Sequence, residues 1–463
     1  MDGHPKDRTA PDPGAAATAH RRDLAVRAAV ARGLVGGADG AEPLVCLLDT
    51  AGIEESAAAL TAAFAAVLPP GTPVLHAFAV KAAPLVPVLR LLSGAGLGCE
   101  AAGPGELALA RAAGVPPHRT VLDSPAKTPA ELREALALGI AVNADNRQEL
   151  ERLDTLMASA PSTSPIGLRI NTQTGAGSIG ATSTATATSK FGFALRDPGA
   201  REELVRACLE RPWITRLHTH AGSQGVPLEL MAAGVRALYE LAEEIDRAAG
   251  GRRIDTLDIG GGLPVNFASD AVSPTFAEYV AALSSAVPGL FSGRYGLVTE
   301  FGRALLAKHG TILARVEYTK TSGGRPIALT HAGVQVATRT VYAPASWPLR
   351  ILAYDAEGRP RPPGAPRLRQ DVAGPACFSG DLLAEDRPLP ELRPGDLIAA
   401  PDTGAYFFTA PYGYNSLLRP AVHGFRATPD GTDVRFATVR PAQTAAALLA
   451  ESGGADPDAL LRP

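Results

Sequence analysis

Pro73-Val-Leu-His-Ala-Phe-Ala-Val-Lys-Ala-Ala83 is a short apolar run that ends in a cation. Its length and β-branched content predict a buried strand. A lysine at the end of such a strand is awkward, because burying an unpaired ammonium is costly and desolvation lowers its pKa. A lysine with a lowered pKa is also a good nucleophile toward a carbonyl. The plainer alternative ends the strand at Val80 and leaves Lys81 in water. The stretch by itself allows both.

A rhythm starts at Val74. Strand-length apolar runs at Val74–Val80, Gly98–Ala101, Thr120–Asp123, Ile140–Ala144, Pro165–Asn171, Ile214–His220, Thr256–Ile259 and Tyr295–Glu300 alternate with stretches at helical spacing. The helices expected are Ala83–Ser93, Pro104–Ala113, Thr128–Leu138, Arg147–Leu156, Asp197–Glu210, Pro227–Ala248 and Thr275–Val287. Eight strands alternating with helices is the count of a (β/α)8 TIM barrel, placed here over residues 74–309. A doubly wound open sheet is the rival, but it needs fewer strands and a switch point. The Thr-, Gly-, Ala- and Ser-rich stretch Thr172–Ser189 follows a strand, which puts it at the barrel mouth as a flexible loop, either a cover for a site or a passive surface segment.

Outside the barrel, residues 1–42 are an N-terminal extension, with 1–22 expected to be disordered and Asp23–Gly33 a short amphipathic helix. Pro43–Asp49 is a strand expected to join a second, C-terminal domain, and Gly52–Leu68 is a helix. Runs at Gly310–Tyr318, Arg325–Thr330, Val334–Tyr342, Leu349–Ala353 and Asp396–Ala400, separated by Pro/Gly clusters, predict a β domain over 310–450. Residues 355–370 are a loop, Ala442–Ala450 a short helix, and 451–463 a polar tail.

A length of 463 residues leaves room for a barrel and an addition. Charged residues make up 20% and the net charge is −3, so nothing points to nucleic acid or an anionic membrane. Cys46, Cys99, Cys208 and Cys377 are scattered without a CxxC pair, which fits reduced cytosolic thiols better than zinc or disulfides. No apolar signal segment and no bilayer-length run is present. A soluble cytoplasmic protein is expected.

The polar motifs cluster at strand ends, where a barrel presents its chemistry. Leu217-His-Thr-His-Ala-Gly-Ser-Gln224 sets His218 and His220 two apart; they are a metal pair lacking a nearby carboxylate, an aromatic face for a planar ligand with Ser223 as a donor, or two satisfied histidines. Asp258-Ile-Gly-Gly-Gly262 lets a backbone bend tightly and turn several N–H groups toward one anion. Thr299-Glu-Phe-Gly-Arg303 offers a carboxylate and a guanidinium, either paired with each other or serving one ligand. Gly374-Pro-Ala-Cys-Phe-Ser-Gly-Asp381 brings a thiol and a carboxylate into one turn of the β domain. Together these residues ask for a planar, phosphorylated aldehyde. Lys81 supplies the amine, the glycines and Arg303 hold phosphate, Glu300 faces a ring nitrogen and a histidine stacks. That ligand is pyridoxal 5′-phosphate.

The chain resembles the fold-type III pyridoxal-phosphate-dependent amino-acid decarboxylases, the ornithine/diaminopimelate/arginine group, and most of all the diaminopimelate branch. The resemblance runs through Ala79-Val-Lys81, Gly105-Glu106, Leu168-Arg-Ile-Asn171, Ser189-Lys-Phe-Gly192, His218–Gln224, Gly260–Gly262, Glu300–Arg303, Gly374–Cys377 with Asp381, Gly404-Ala-Tyr406 and Tyr414-Asn415, in the family's order over roughly residues 43–450. It implies an alanine-racemase-like barrel with a C-terminal β domain. It also implies decarboxylation at the α-carbon through a Schiff base on Lys81, His220 stacked on the cofactor ring, and Glu300 on the ring nitrogen. Ser223, Gly261, Gly262, Arg303 and Tyr406 are implied as phosphate contacts and Arg339, in the segment ending at Tyr342, as a residue near the substrate. Cys377 is implied as the group that reprotonates the α-carbon, supplied across a homodimer with shared active sites. No metal is implied.

Two departures stand out. The family's Glu-Pro-Gly-Arg is here Glu300-Phe-Gly-Arg303, which keeps the polar pair. The residue after the catalytic cysteine, usually an acid that holds the distal amine of a diamino acid, is Phe378. A phenyl ring cannot accept that hydrogen bond, and a missing partner of this kind changes discrimination on the order of 10⁴-fold. Asp381 remains as a carboxylate that can take part of the role. The expected substrate is therefore an amino acid of specialised metabolism bound in an altered pocket. The alternatives are a racemase or epimerase with the same cofactor, and a non-catalytic cofactor-binding protein.

Overall fold

Eight short apolar runs form eight parallel strands: Val74–Ala79, Gly98–Ala101, Thr120–Leu122, Ala141–Ala144, Ile166–Asn171, Ile214–His218, Thr256–Asp258 and Gly296–Thr299. The computed structural model describes residues 13–36 and 42–462. Each strand pairs with the next. The last pairs back onto the first through Leu297–Val74 and Thr299–His76, so the sheet closes into a barrel and the open-sheet alternative falls. Its strands are almost wholly buried, which is why they read as continuous apolar runs rather than alternating ones.

The helices between them start where the sequence signals a start. Thr128 with Glu131, and Thr275 with Glu278, form capping boxes, and Asn146 caps the helix Arg147–Ser159. One start shifts. The first barrel helix is Val86–Gly94 rather than beginning at Ala83, because Pro84 disfavours a helical residue before it and Pro87 suits a first turn. The gap holds a single tight turn, Val80–Ala82, that carries Lys81.

The second sheet is mostly antiparallel. Gly310–Ser322 is at its centre, paired with Leu44–Asp49, Arg325–Thr330 and Leu397–Pro401. Leu44–Asp49 also runs parallel to Ala421–Ala427, which pairs with Val434–Arg440. Arg367–Ala373 and Leu382–Pro390 extend the other end.

Several expectations change. Val334–Tyr342 is a helix, kinked at Ala337, and not a strand. Its β-branched residues favour a strand locally, but the Asp381 carboxylate accepts the N–H of Val334 at 2.7 Å and caps it from a distant segment. The strand expected from Leu349 is only Leu352–Tyr354, and Arg367–Ala373 begins inside the stretch expected to be a loop. Residues 13–22 belong to a helix, Pro13–Ala31, instead of a disordered lead; residues 1–12 lie outside the described residues. Leu24, Ala25, Val26 and Ala29 pack against Val45, Leu47, Leu313 and Phe425, so tertiary contact supplies what local propensity lacks. Arg22 pairs with Asp270 at 2.7 Å, and Asp270 with Arg350 at 2.6 Å, tying this helix to a barrel loop and to the β domain. Among the described residues, no helix is long and apolar enough to cross a membrane.

Candidate active site

Lys81 is at the C-terminal end of the first barrel strand and donates to the Glu100 carboxylate at the end of the second. Its side chain keeps 45% of its surface exposed, while that of Glu100 keeps 1%. The lowered pKa expected of a desolvated lysine is not found. Burial pulls it down, but Glu100, Tyr406 and Glu300 more than offset that pull and the net direction is up. Lys81 is an ammonium held by a carboxylate.

His218 and His220 have opposite charge states. The strand ends at His218, which is fully buried with Nε2 3.3 Å from Glu300 and Nδ1 3.6 Å from Asp123. The sequence offers no carboxylate beside this histidine; the barrel brings two. Burial opposes the charge, yet Asp123 and Glu300 raise the His218 pKa to about 9. His220 is in the following loop. Its Nδ1 accepts the Gly261 N–H at 3.1 Å, which places its proton on Nε2. Burial and Arg169 hold it down at about 3, so the ring is neutral.

The glycine triplet is required by space. A Cβ on Gly261 would lie 2.1 Å from the Glu300 carbonyl oxygen, and one on Gly262 1.8 Å from that of Gly222. The triplet is not a set of three free donors, however. Gly260 N–H goes to Asp258 and Gly261 N–H to His220, which leaves Gly262 as the donor without an acceptor among the described residues.

Arg303 lies deep in the mouth, its guanidinium 4.6 Å from the centroids of both Trp347 and Tyr406. Nη2 reaches Ser223 Oγ at 3.3 Å, while Nε and Nη1 are buried without partners among the described residues. Burial pushes its pKa down to about 10. Arg339 approaches the same two rings, at 5.0 and 5.1 Å. A buried guanidinium with orphaned donors, and a second guanidinium over the same rings, call for an anion. At the other end of the mouth, Glu300 Oε1 is buried without a partner among the described residues, and His218 keeps the carboxylate charged against the pull of burial. An anion holder, an amine and an unpartnered carboxylate fit pyridoxal 5′-phosphate. Tyr406, in a left-handed conformation with φ 64°, is anchored by its N–H to the Ala82 carbonyl at 2.9 Å, and Thr409 Oγ1 donates to the same oxygen at 2.8 Å. The β domain thus clamps the turn that carries Lys81.

The Cys377 turn stands apart from these contacts. Cys377 is exposed, and its N–H donates to Asn415 Oδ1 at 2.7 Å. Phe378 stacks on Tyr342 with centroids 5.9 Å apart and meets Tyr414 edge-on at 5.4 Å; Tyr412 completes the group. Asp381, expected as a substrate carboxylate, has both oxygens engaged by backbone, Oδ1 with Val334 and Oδ2 with the Ala376 N–H at 2.8 Å. Its observed work is to fold the turn.

The loop after Asn171 lies on the segment His220–Gln224. Ser223 N–H donates to Thr182, Thr184 N–H to Ala221, and Thr182 Oγ1 to the Gln224 carbonyl. Sequence reading assigned no role to Glu100, Asp123, Asp258, Arg169 or Trp347. The first four do carry a signal, a charged residue at the end of an apolar run, where a barrel strand meets its mouth. Trp347 carries none.

Residues 52–307 match the family described as pyridoxal-dependent decarboxylase, pyridoxal binding domain. The chain is similar to the diaminopimelate decarboxylase of Pseudomonas aeruginosa, 35% identical over 354 residues that span 76% of this chain and 81% of that protein. It is similar to that of Zymomonas mobilis at 32% over 351 residues, 75% and 79% of the two chains. The crystal structure of Helicobacter pylori diaminopimelate decarboxylase complexed with L-lysine shares the fold, with a TM-score of 0.76 at 24% identity over 90% of this chain and 98% of that one.

Proposed function

The chain belongs to the pyridoxal-dependent decarboxylases, carboxy-lyases that release carbon dioxide from amino acids with pyridoxal 5′-phosphate, and on that premise we propose how its residues divide the work and which substrates it takes. When bound, the cofactor supplies the carbonyl carbon that an amine attacks and the conjugated ring that accepts the electron pair left by carbon dioxide. Arg303, Ser223, Gly262 and Tyr406 hold its phosphate. Gly261 acts by fixing the His220 tautomer. His220, neutral, covers a ring face. Glu300 faces the ring nitrogen through its unpartnered Oε1. Glu100 holds Lys81 Nζ at the mouth and is the carboxylate in contact to which its proton can pass. Arg339 draws the substrate toward the mouth. Cys377 returns a proton to the α-carbon. Its exposure, and its lack of contact with Lys81, His220 or Glu300 among the described residues, support a homodimer in which this turn completes the partner's site. Four free thiols support a cytoplasmic setting.

At the substrate's far end, Phe378 and Tyr342 form a ring surface, and Asp381 is buried with each oxygen already accepting a backbone N–H. This supports an amino acid outside the diaminopimelate, lysine and ornithine set, taken in an altered pocket and belonging to specialised metabolism. The observation that carries the cofactor reading is Arg303, buried with two orphaned nitrogens in the same mouth as Lys81 and Glu300. The purified protein is expected to show a visible absorbance band that Lys81→Ala abolishes, and no band at all would sink the reading. Carbon dioxide release is then measured across L- and D-amino acids. Wild-type protein is expected to prefer a substrate without a distal ammonium, and Phe378→Glu to gain turnover on diamino acids; wild-type preference for meso-diaminopimelate would refute the altered pocket.

A further inference from the structure

His218 touches nothing expected to react, yet it is the most enclosed charge beneath the site. Each of its ring nitrogens faces a carboxylate, Nδ1 toward Asp123 Oδ2 at 3.6 Å and Nε2 toward Glu300 Oε2 at 3.3 Å. Neither contact has hydrogen-bond geometry, and both ring nitrogens are buried without a hydrogen-bond partner among the described residues, so opposite charge is what holds the ring. A neutral imidazole carries one N–H and one lone pair, and here its lone pair would point at a carboxylate. Only the doubly protonated ring meets both neighbours with donors. The surrounding groups agree. Arg169 Nη1 binds the same Asp123 oxygen at 2.8 Å and fixes that carboxylate as an anion. Asp258, from the adjacent strand, is raised well above its ordinary range by burial and by Glu300, and what charge it carries favours the protonated His218 as well. Lys81 and Glu100 pair with each other.

We propose that His218 is a positioning residue of the cofactor site: as an imidazolium bridging Asp123 and Glu300, it fixes the Glu300 carboxylate in orientation and in charge toward the cofactor's ring nitrogen. The proposal rests on the reading of Glu300 above. Fixing Glu300 as an anion keeps the ring nitrogen protonated, and a protonated ring is the better acceptor of electrons. Asp123 and Arg169 thereby act on the chemistry through two intervening groups.

The test uses the full-length enzyme loaded with ¹⁵N-labelled cofactor, read by ¹⁵N NMR across pH 6–10. In the wild type the ring nitrogen is expected to stay protonated past pH 8. Glu300→Gln removes the protonation throughout; if it does not, the reading of Glu300 itself fails. His218→Gln lowers the pH at which the proton is lost, and Asp123→Asn does so by less. Protonation lost in Glu300→Gln but unchanged in His218→Gln overturns this proposal and leaves Glu300 standing. Should His218→Gln not fold, histidine-labelled wild type decides: both nitrogens of His218 are expected in the protonated range at pH 8, and a neutral ring there refutes the bridge. The kcat of His218→Gln is expected to fall about 10- to 100-fold with KM within about threefold, the scale seen when the support of a directly acting group is removed. Asp123, His218 and Glu300 also present donor atoms within 4.8 Å of one another. A divalent cation retained stoichiometrically by the purified enzyme would overturn the proposal as well.

Discussion

Two histidines two residues apart show how far a barrel can separate like side chains. His220 meets a backbone N–H and is neutral, whereas His218 meets two carboxylates and is charged. The charged one has a consequence for stability. Its folded pKa of about 9 lies above the ordinary 6.5, so the folded state binds more protons than the unfolded state between those values. The contribution is complete below pH 6.5 and is lost as pH rises through 9. Denaturant unfolding at pH 6.5 and pH 9.5 is expected to show a drop on the order of a few kcal/mol that His218→Gln largely removes. Arg303 supports a second prediction. Arg303→Met leaves the phosphate without its buried partner and is expected to weaken cofactor binding by about 2–4 kcal/mol, roughly 30- to 1,000-fold in Kd by equilibrium dialysis.

Among the elements, the barrel was readable and the second sheet only partly so. Parallel strands buried on both faces are mainly apolar runs with a polar residue at or near the end, and capping boxes at Thr128 and Thr275 mark where helices begin. Val434-Arg-Phe-Ala-Thr-Val-Arg440 and Arg367-Leu-Arg-Gln-Asp-Val-Ala373 interleave charge with apolar residues, as strands with a solvated face do, and no contiguous run announces them. Val334–Tyr342 misled because its cap lies on a distant segment. The site divides the same way. Lys81, Glu300 and Arg303 sit in motifs, while Glu100, Asp123 and Trp347 gain meaning only when the fold gathers them. Asp381 provides an element-scale test. Asp381→Ala removes acceptors for two backbone N–H groups and is expected to cost about 2–4 kcal/mol in urea unfolding. Gly262→Ala should retain barrel circular dichroism and lose cofactor absorbance, since its Cβ cannot share space with the Gly222 carbonyl.

In the whole molecule, Asp270 joins the helix Pro13–Ala31, through Arg22, to Arg350 of the β domain. Burial opposes its charge, but the two guanidiniums hold its carboxyl well below the usual range. Asp270→Asn is expected to lower stability by roughly 2–3 kcal/mol, read as a fall in Tm. The strand Leu44–Asp49 has its own consequence for how the chain is made. It sits between Gly310–Ser322 and Ala421–Ala427, so on the ribosome it emerges early and waits for both partners. At about 5–20 residues per second that interval is on the order of tens of seconds, and Tyr406, which clamps the Lys81 turn, also arrives late. A nascent chain therefore carries a nearly finished barrel with an unsatisfied strand ahead of it, and the Tyr406 clamp on the Lys81 turn closes only after the barrel is complete.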